Sequence, residues 1–223
     1  MSQVDTAEHT NSEGHDEQLN CPNCISKYCK HNTSKEERAE FLKQFLEVLP
    51  HNPQLLPLDG EGKEPIIQGK CGLDSPQGKN YLVSGQEAIR RIRDDGVPGF
   101  SIWAGKPTHN TESLVFVDYD DVTTFSPSEL PDTLTTCTGS GEGYHQIFIN
   151  HGDVKNAQAT GKLKGAGEVR AHNQHIVTPG SIHPSGGVYH LKNNRELTTL
   201  SADHLPPELQ PSGSFNDGPE TAD

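Results

Sequence analysis

Two aspartates, Asp118 and Asp120, stand at the end of an apolar run. The run at 114–117 contains leucine, phenylalanine and two valines, which is typical of a strand buried on both faces. Because side chains alternate along a strand, the two carboxylates point the same way and repel each other. A hard divalent cation such as Mg²⁺ relieves that repulsion and prefers oxygen ligands. The pair therefore indicates a metal-dependent enzyme, and the alternative is a solvated, aspartate-rich turn.

A second candidate is the glycine-rich turn at 138–143, which leads into a predicted strand that carries His145. Backbone N–H groups in such a turn can point at a phosphate, and a histidine can donate to a phosphate oxygen. Near neutral pH an ordinary histidine also carries part of a positive charge. The alternative is a hairpin with a partly buried histidine.

Glu168 and Arg170 form a third pair, with the same i, i+2 spacing as the aspartates. On a strand they share one face, so a carboxylate and a guanidinium would lie side by side. With the two aspartates, Glu168 could provide the third carboxylate that a site for two metal ions needs. Arg170 could hold a triphosphate through two hydrogen bonds. An ordinary cross-strand ion pair accounts for the same two residues.

The segment 175–187 joins a short apolar run to a turn rich in proline, glycine and serine. These residues set a turn at the end of a strand, which exposes Ser181 and His183 where a phosphate could sit. A polar loop with no ligand is the alternative interpretation.

The elements that must position these residues are predicted from capping and periodicity. Two capping boxes, each a serine followed three residues later by a glutamate, predict helices at about 35–49 and from Ser84 to about Asp95. Apolar and alternating runs predict the strands. We expect strands at 100–103, 114–120, 134–138, 144–149, 174–178 and 188–191.

A cluster of cysteines lies near the N-terminus. The series Cys21, Cys24, Cys29 and His31 offers four ligands within eleven residues, a set that Zn²⁺ binds tetrahedrally. The Cys-x-His end is cramped relative to the common zinc-finger spacings, so a group of reduced thiols is the alternative. The odd total of five cysteines argues against a disulfide framework.

Composition and charge limit the class of protein. Only 30% of the 223 residues are hydrophobic, so part of the chain is expected to be unfolded. Residues 1–20 and 201–223 each carry five acids and neither lysine nor arginine, which leaves 21 acids against 18 bases elsewhere. The segment 151–200 is basic, which is compatible with a phosphate-bearing ligand. No apolar run is long enough to span a bilayer and no signal segment opens the chain, so we expect a cytoplasmic protein.

The order of the motifs is more specific than any one of them. A strand ending in Asp-x-Asp is followed by a glycine-rich turn with Tyr-His, then by Glu-x-Arg, then by Pro-Gly-Ser-x-His-Pro-Ser-Gly. This series resembles the archaeo-eukaryotic primase superfamily, and within it the bifunctional DNA primase/polymerase (prim-pol) domain of plasmid, phage and archaeal replication proteins. The resemblance covers about 60–195, with 62–65 and 99–105 similar to the opening segments of that domain.

The resemblance implies an α+β fold, in which an N-terminal αβ unit packs on an RRM-like antiparallel sheet. It implies template-directed nucleotidyl transfer in DNA replication, by a DNA polymerase, a primase or both. The partners would be nucleoside triphosphates, a DNA template and primer, and a replicative helicase. The catalytic carboxylates, which would bind two Mg²⁺ or Mn²⁺ ions, are Asp118, Asp120 and Glu168. The residues that would contact the phosphates of the nucleotide are His145, Arg170, Ser181 and His183.

The chain departs from the pattern of that domain at three points. Glu168 stands where aspartate is more usual, and Gly143 stands where serine is frequent. No helicase or helical accessory domain follows before Asp223, so we expect a truncated or stand-alone version. The chain is thus expected to divide into an acidic tail at 1–20, a Cys/His cluster at 21–33, a catalytic domain at 34–204 and an acidic tail or linker at 205–223.

Two other functions use the same residues. One is a non-catalytic replication or defence factor that binds nucleotide or single-stranded nucleic acid in the same cleft. The other is a metal-dependent nuclease or phosphotransferase, which needs similar carboxylates but does not account for the segment 179–186.

Overall fold

A computed structural model of the protein describes residues 28–50, 53–59, 81–104 and 113–210. Several predicted features lie outside these residues. They are the acidic tail at 1–20, Cys21 and Cys24 of the Cys/His cluster, the segment 62–65, and the part of the C-terminal tail from 211 onward.

Two helices occur in the described part of the chain, where the capping boxes predict them. Helix α1 is Lys35–Val48, and the Ser34 and Glu37 side chains each accept the other residue's backbone N–H, at 3.1 and 2.9 Å. Helix α2 is Gly85–Arg90, and it continues as a π-helical turn at Arg91–Asp95. Among the described residues, no helix is long and apolar enough to cross a membrane.

In the part of the chain that the structure describes, ten short strands form two sheets, which are antiparallel apart from one parallel pair between β5 and β10. In chain order the strands are β1 Leu56–Pro57, β2 Phe100–Trp103, β3 Leu114–Tyr119, β4 Thr135–Cys137, β5 Tyr144–Asn150, β6 Ala157–Gln158, β7 Gly167–Arg170, β8 His175–Val177, β9 His190–Leu191 and β10 Thr198–Leu200. The larger sheet has the order β6-β7-β3-β5-β4-β9, and β10 pairs with β5. The smaller sheet has the order β1-β2-β8. Antiparallel sheets with few helices agree with an α+β fold.

The central strand β3 separates two hydrophobic cores, and all of its residues are buried. Val117 and Tyr119 face a core to which the segment 205–210 contributes. Phe116 faces the opposite way, into the core formed with both helices and the smaller sheet. Asp118 follows on the same face as Phe116, because side chains alternate along a strand. The fold thus delivers the Asp118 carboxylate to the side of the sheet where the helical unit packs.

The residues just after the predicted domain boundary at 204 pack on the folded unit. Leu205 and Leu209 are 3% and 0% exposed and belong to one of the two cores. The Thr160 N–H donates to the Glu208 carbonyl oxygen at 2.9 Å. Apolar burial therefore keeps this segment in the folded unit, despite its acidic and proline-rich composition.

Candidate active site

A polar cavity of about 350 Å³ lies where the strands β3, β5 and β7 meet two turns, 138–143 and 178–187. Most of the residues predicted to do chemistry line this cavity. They are Asp118, Asp120, His145, Arg170 and His183, joined by Tyr119, Thr138, Ser140, Glu142, Gly143, His175, Val177 and Tyr189.

The register of the strands brings Asp118, His145 and Glu168 together. Asp118 on β3 lies opposite His145 on β5 and opposite Glu168 on β7. The Asp118 carboxylate is almost fully buried, with Oδ1 3.4 Å from Nε2 of His145 and Oδ2 2.8 Å from Nη2 of Arg170. Side chains directly opposite in an antiparallel pair are close enough to interact, so the sheet itself fixes this arrangement.

Arg170 bridges the carboxylates of Asp118 and Glu168. Its Nε donates to Oε1 of Glu168 at 2.7 Å and its Nη2 donates to Asp118, while Nη1 donates to the His175 carbonyl oxygen at 2.5 Å. The guanidinium thus supplies the positive charge that the repelling carboxylates require. The ordinary cross-strand ion pair that the sequence left open is present in this conformation.

The donor set fits a hard divalent cation only in part. Asp118 and Asp120 both line the cavity and offer carboxylate oxygens, the ligands that Mg²⁺ and Mn²⁺ prefer. Glu168 does not line it, because one of its oxygens bonds to Arg170 and the other accepts from the Gln158 side-chain amide. In the part of the chain that the structure describes, no three His, Cys, Asp or Glu side chains form a ready metal site.

His145 is buried and uncharged, which corrects the expectation of a partial positive charge. Burial lowers its pKa to about 3, and the nearby Arg170 charge lowers it further, against smaller raising effects of the carboxylates of Asp120 and Glu168. The ring stacks on Tyr189, with centroids 5.9 Å apart. Near neutral pH His145 is therefore a neutral imidazole whose Nε2 is directed at Asp118.

Ser181 is placed differently from the prediction that it contacts phosphate. It is fully buried and does not line the cavity. Its hydroxyl accepts from the Phe100 N–H at 3.0 Å and donates to the Phe100 carbonyl oxygen at 3.2 Å. The serine therefore ties the 178–187 turn to β2 and offers no surface to a ligand in this conformation.

His183 lies on the same turn and lines the cavity. The Ser185 N–H donates to Nδ1 of His183 at 3.1 Å. Because a backbone N–H can only donate, Nδ1 accepts and the neutral ring carries its proton on Nε2. His183 is thus fixed as an Nε2–H donor.

The glycines of the two turns are required by close backbone approach. A Cβ at Gly143 would lie 2.3 Å from the Tyr119 carbonyl oxygen, and one at Gly187 would lie 1.8 Å from the Gly139 carbonyl oxygen. The turn at 138–143 therefore packs directly on the end of β3 and on the 178–187 turn. This packing explains why the chain has glycine at 143, where the resemblance led us to expect serine.

Among the cavity residues with no role predicted from the sequence are two rings, those of His175 and Tyr189. His175 opens β8, and burial lowers its pKa to about 4, with Arg170 as the next cause. Tyr189 is 4% exposed, and burial together with the Asp118 charge raises its hydroxyl pKa. Both lie in the predicted strands, 174–178 and 188–191, that flank the Pro-Gly-Ser turn, and that position was the available signal.

Only part of the Cys/His cluster can be placed. Cys29 is fully buried and forms a β-bridge with Gly187, and the Lys30 N–H donates to the Gly186 carbonyl oxygen at 2.8 Å. His31 is exposed. Cys29, the third residue of the cluster, thus lies against the 178–187 turn, and zinc binding by the four residues stays a prediction.

One family model, described as bifunctional DNA primase/polymerase, N-terminal (Prim-Pol), matches residues 46–208. The match covers most of the chain and includes every residue that lines the cavity. No curated protein matches the chain. The chain belongs to the bifunctional DNA primase/polymerase family, which confirms the resemblance in its motifs.

Proposed function

We propose that this member of the bifunctional DNA primase/polymerase family is a nucleotidyltransferase that extends a DNA strand along a template. Family membership supports nucleotidyl transfer, with nucleoside triphosphates and DNA as substrates. The observation that carries the proposal for this cavity is that Asp118, Asp120, His145 and Arg170 line it together. We also propose that the larger sheet has the RRM-like arrangement that the resemblance implies.

The carboxylates of Asp118 and Asp120 would hold one or two divalent ions, Mg²⁺ or Mn²⁺, with Glu168 as a further ligand. When bound, such ions supply charge for activating a 3′-hydroxyl and for stabilising the leaving pyrophosphate. Glu168 becomes available only when its bonds to Arg170 and Gln158 open. A cation held by Asp118 and Asp120 would favour that exchange, because its charge would replace that of the guanidinium.

The Arg170 guanidinium, once released, would hold two oxygens of the triphosphate. A planar guanidinium suits this role because its N–H groups match two phosphate oxygens at once. His145 and His183 would donate to the same phosphates as neutral rings, and the Nε2–H of His183 is already set for donation. Ser181 would act indirectly, by tying the turn that carries His183 to β2.

A second function is favoured by one observation, the bridging of Asp118 and Glu168 by Arg170. With Asp118 and Glu168 already paired to Arg170, the cavity can take up a nucleotide without reacting it. This function would be a replication factor that binds nucleotide or single-stranded nucleic acid and has no turnover.

The experiment is extension of a labelled primer on a DNA template with dNTPs and Mg²⁺ or Mn²⁺, by wild type and by Asp118→Asn. The variant keeps the shape of the side chain and removes its charge, so we expect extension to fall by about 100-fold or more. Asp132→Asn is the matched control, because Asp132 pairs with Arg195 at 2.6 Å on the surface, away from the cavity. Metal-dependent nucleotide binding without extension by wild type would favour the second function.

A further inference from the structure

One side of the cavity is aromatic, and the phosphate and metal chemistry does not use it. His175 on β8 lies opposite Trp103 on β2, and their rings are nearly parallel, with centroids 5.9 Å apart and an angle of 15°. This separation lies within the range of offset stacked pairs. Trp103 is the only tryptophan of the 223-residue chain.

His175 is the ring best placed to meet a ligand. Of the rings that line the cavity, those of Tyr119, His145 and Tyr189 belong to residues no more than 4% exposed. His183 is held through Nδ1 by Ser185, and its Nε2–H is assigned to the phosphates in the proposed function. His175 is only partly buried, and the proposed metal and phosphate chemistry does not use its ring.

The ring of His175 has the properties of a stacking surface. Burial lowers its pKa to about 4, so the imidazole is neutral at physiological pH and does not repel Arg170. Its Nδ1 is buried and has no hydrogen-bond partner among the described residues, so the polar edge is not tied to another element. The indole of Trp103 behind it fixes the plane of the ring.

The position of His175 relates it to the triphosphate. Arg170 donates from Nη1 to the His175 carbonyl oxygen at 2.5 Å, so the candidate phosphate-binding group and the ring are neighbours. A nucleotide held by its phosphates at Arg170 therefore has an aromatic surface within the same cavity.

We propose that His175, supported by Trp103, stacks against the base of the nucleotide whose phosphates are held at Arg170 and His183. The inference rests on the proposed function, since it assumes that the cavity binds a nucleoside triphosphate. Every base has a π face, so stacking adds affinity without selecting among bases. A templated enzyme needs that property, because the template has to make the selection.

Binding measurements on His175→Ala and His175→Phe test the proposal, with dATP and inorganic tripolyphosphate as ligands in the presence of Mg²⁺. The alanine variant should bind dATP about 10-fold more weakly, as expected for the loss of one base–aromatic stack. The phenylalanine variant keeps a ring and should bind dATP within about 3-fold of wild type. Tripolyphosphate has no base, so its affinity should be the same for all three proteins.

The emission of Trp103 in the wild-type protein gives a readout that does not depend on how the variants fold. Stacking predicts that dATP changes this emission strongly and that tripolyphosphate changes it little. Unchanged dATP affinity in His175→Ala, or an equal loss of dATP and tripolyphosphate affinity, would overturn the stacking role while leaving the proposed function in place. Wild-type protein that binds neither ligand would instead remove the proposed function, and this inference with it.

Discussion

At the scale of single residues, Arg170 organises the site. It joins Asp118, Glu168 and the His175 carbonyl, so one guanidinium links the candidate metal ligands to the candidate base-stacking ring. Loss of Asp118 would therefore remove an ion pair, and for this reason the isosteric asparagine is the suitable variant.

The two buried histidines make the stability of the fold depend on pH. Their folded pKa values are about 3 for His145 and about 4 for His175, below the ordinary value of 6.5. At a pH between those values and 6.5, the two histidines bind protons in the unfolded chain but not in the folded chain. The free energy of unfolding should therefore fall as pH drops below 6.5, by about 1.4 kcal/mol per pH unit and histidine.

Urea denaturation of wild type and His175→Phe at about pH 7 and about pH 5 checks this prediction. Phenylalanine keeps the ring and cannot be protonated, so the variant should lose less stability between the two pH values. Other titrating groups contribute equally to both proteins. The same loss in both proteins would contradict the low folded pKa of His175.

The sequence indicated which residue types would do the chemistry, but not their contacts. The i, i+2 spacings correctly placed Asp118 and Asp120, and Glu168 and Arg170, in pairs near each other. The burial of His145 depends on the pairing of β3 with β5, and the Arg170 bridge depends on the pairing of β3 with β7. Such long-range register is not encoded in local spacing, so the neutral state of His145 was not predicted, and an ion pair of Arg170 was only the alternative to a phosphate contact.

At the scale of elements, helix α1 holds the 178–187 turn through one buried arginine. Arg38 is 4% exposed and donates to the carbonyl oxygens of Gly180 at 2.7 Å, Val97 at 2.7 Å and Pro98 at 2.8 Å. Burial lowers its pKa to about 10, so it remains charged at neutral pH. The turn that positions Ser181 and His183 is thus attached to the helical unit by charge-assisted hydrogen bonds.

Arg38→Met should destabilise the protein by roughly 3 kcal/mol, because the Gly180 and Val97 carbonyl oxygens lose their donor and the Pro98 carbonyl oxygen keeps only the Ile182 N–H. Urea denaturation measures the loss. Lys43→Met is the control on the same helix, since Lys43 is exposed and makes only surface ion pairs with Glu40 and Glu47. We expect the control to change stability by about 0.5 kcal/mol or less. Equal effects of the two variants would show that Arg38 does not anchor the turn.

The elements themselves were largely predictable, because their signals are local. The capping box at Ser34 and Glu37 begins α1 as expected, and the run at 100–103 is the strand β2. Predicted strand ends differ from the structure by one or two residues, as where β3 ends at Tyr119. The π-helical turn after α2 was not expected, since it lies within the same periodic pattern as the helix.

At the scale of the whole molecule, the folded body spans the region that matches the family and extends beyond it at the N-terminal side, where α1 begins at Lys35. That match spans 46–208, and the described chain includes Leu205 and Leu209 in its core. The composition of 201–223 suggested a tail because acids and prolines outnumber apolar residues there. Two well-placed leucines were enough to bury the first part of this segment, which average composition does not indicate.

The central claim is that nucleotidyl transfer takes place in this cavity. Substitutions at two neighbouring aspartates test it most directly. Asp120 lines the cavity, whereas Asp121 does not. The Asp121 carboxylate instead accepts hydrogen bonds from the hydroxyls of Thr123 and Thr124. Asparagine at either position removes the same charge from adjacent residues. The measurement is the initial rate of templated primer extension by wild type, Asp120→Asn and Asp121→Asn with Mg²⁺ or Mn²⁺.

We expect Asp120→Asn to lower the rate by about 100-fold or more, because it removes a carboxylate from the reacting site. Asp121→Asn should stay within about 3-fold of wild type, since its charge lies outside the cavity. Equal rates for the two variants, or no extension by folded wild-type protein with either metal, would contradict the assignment of this cavity as a nucleotidyl-transfer site.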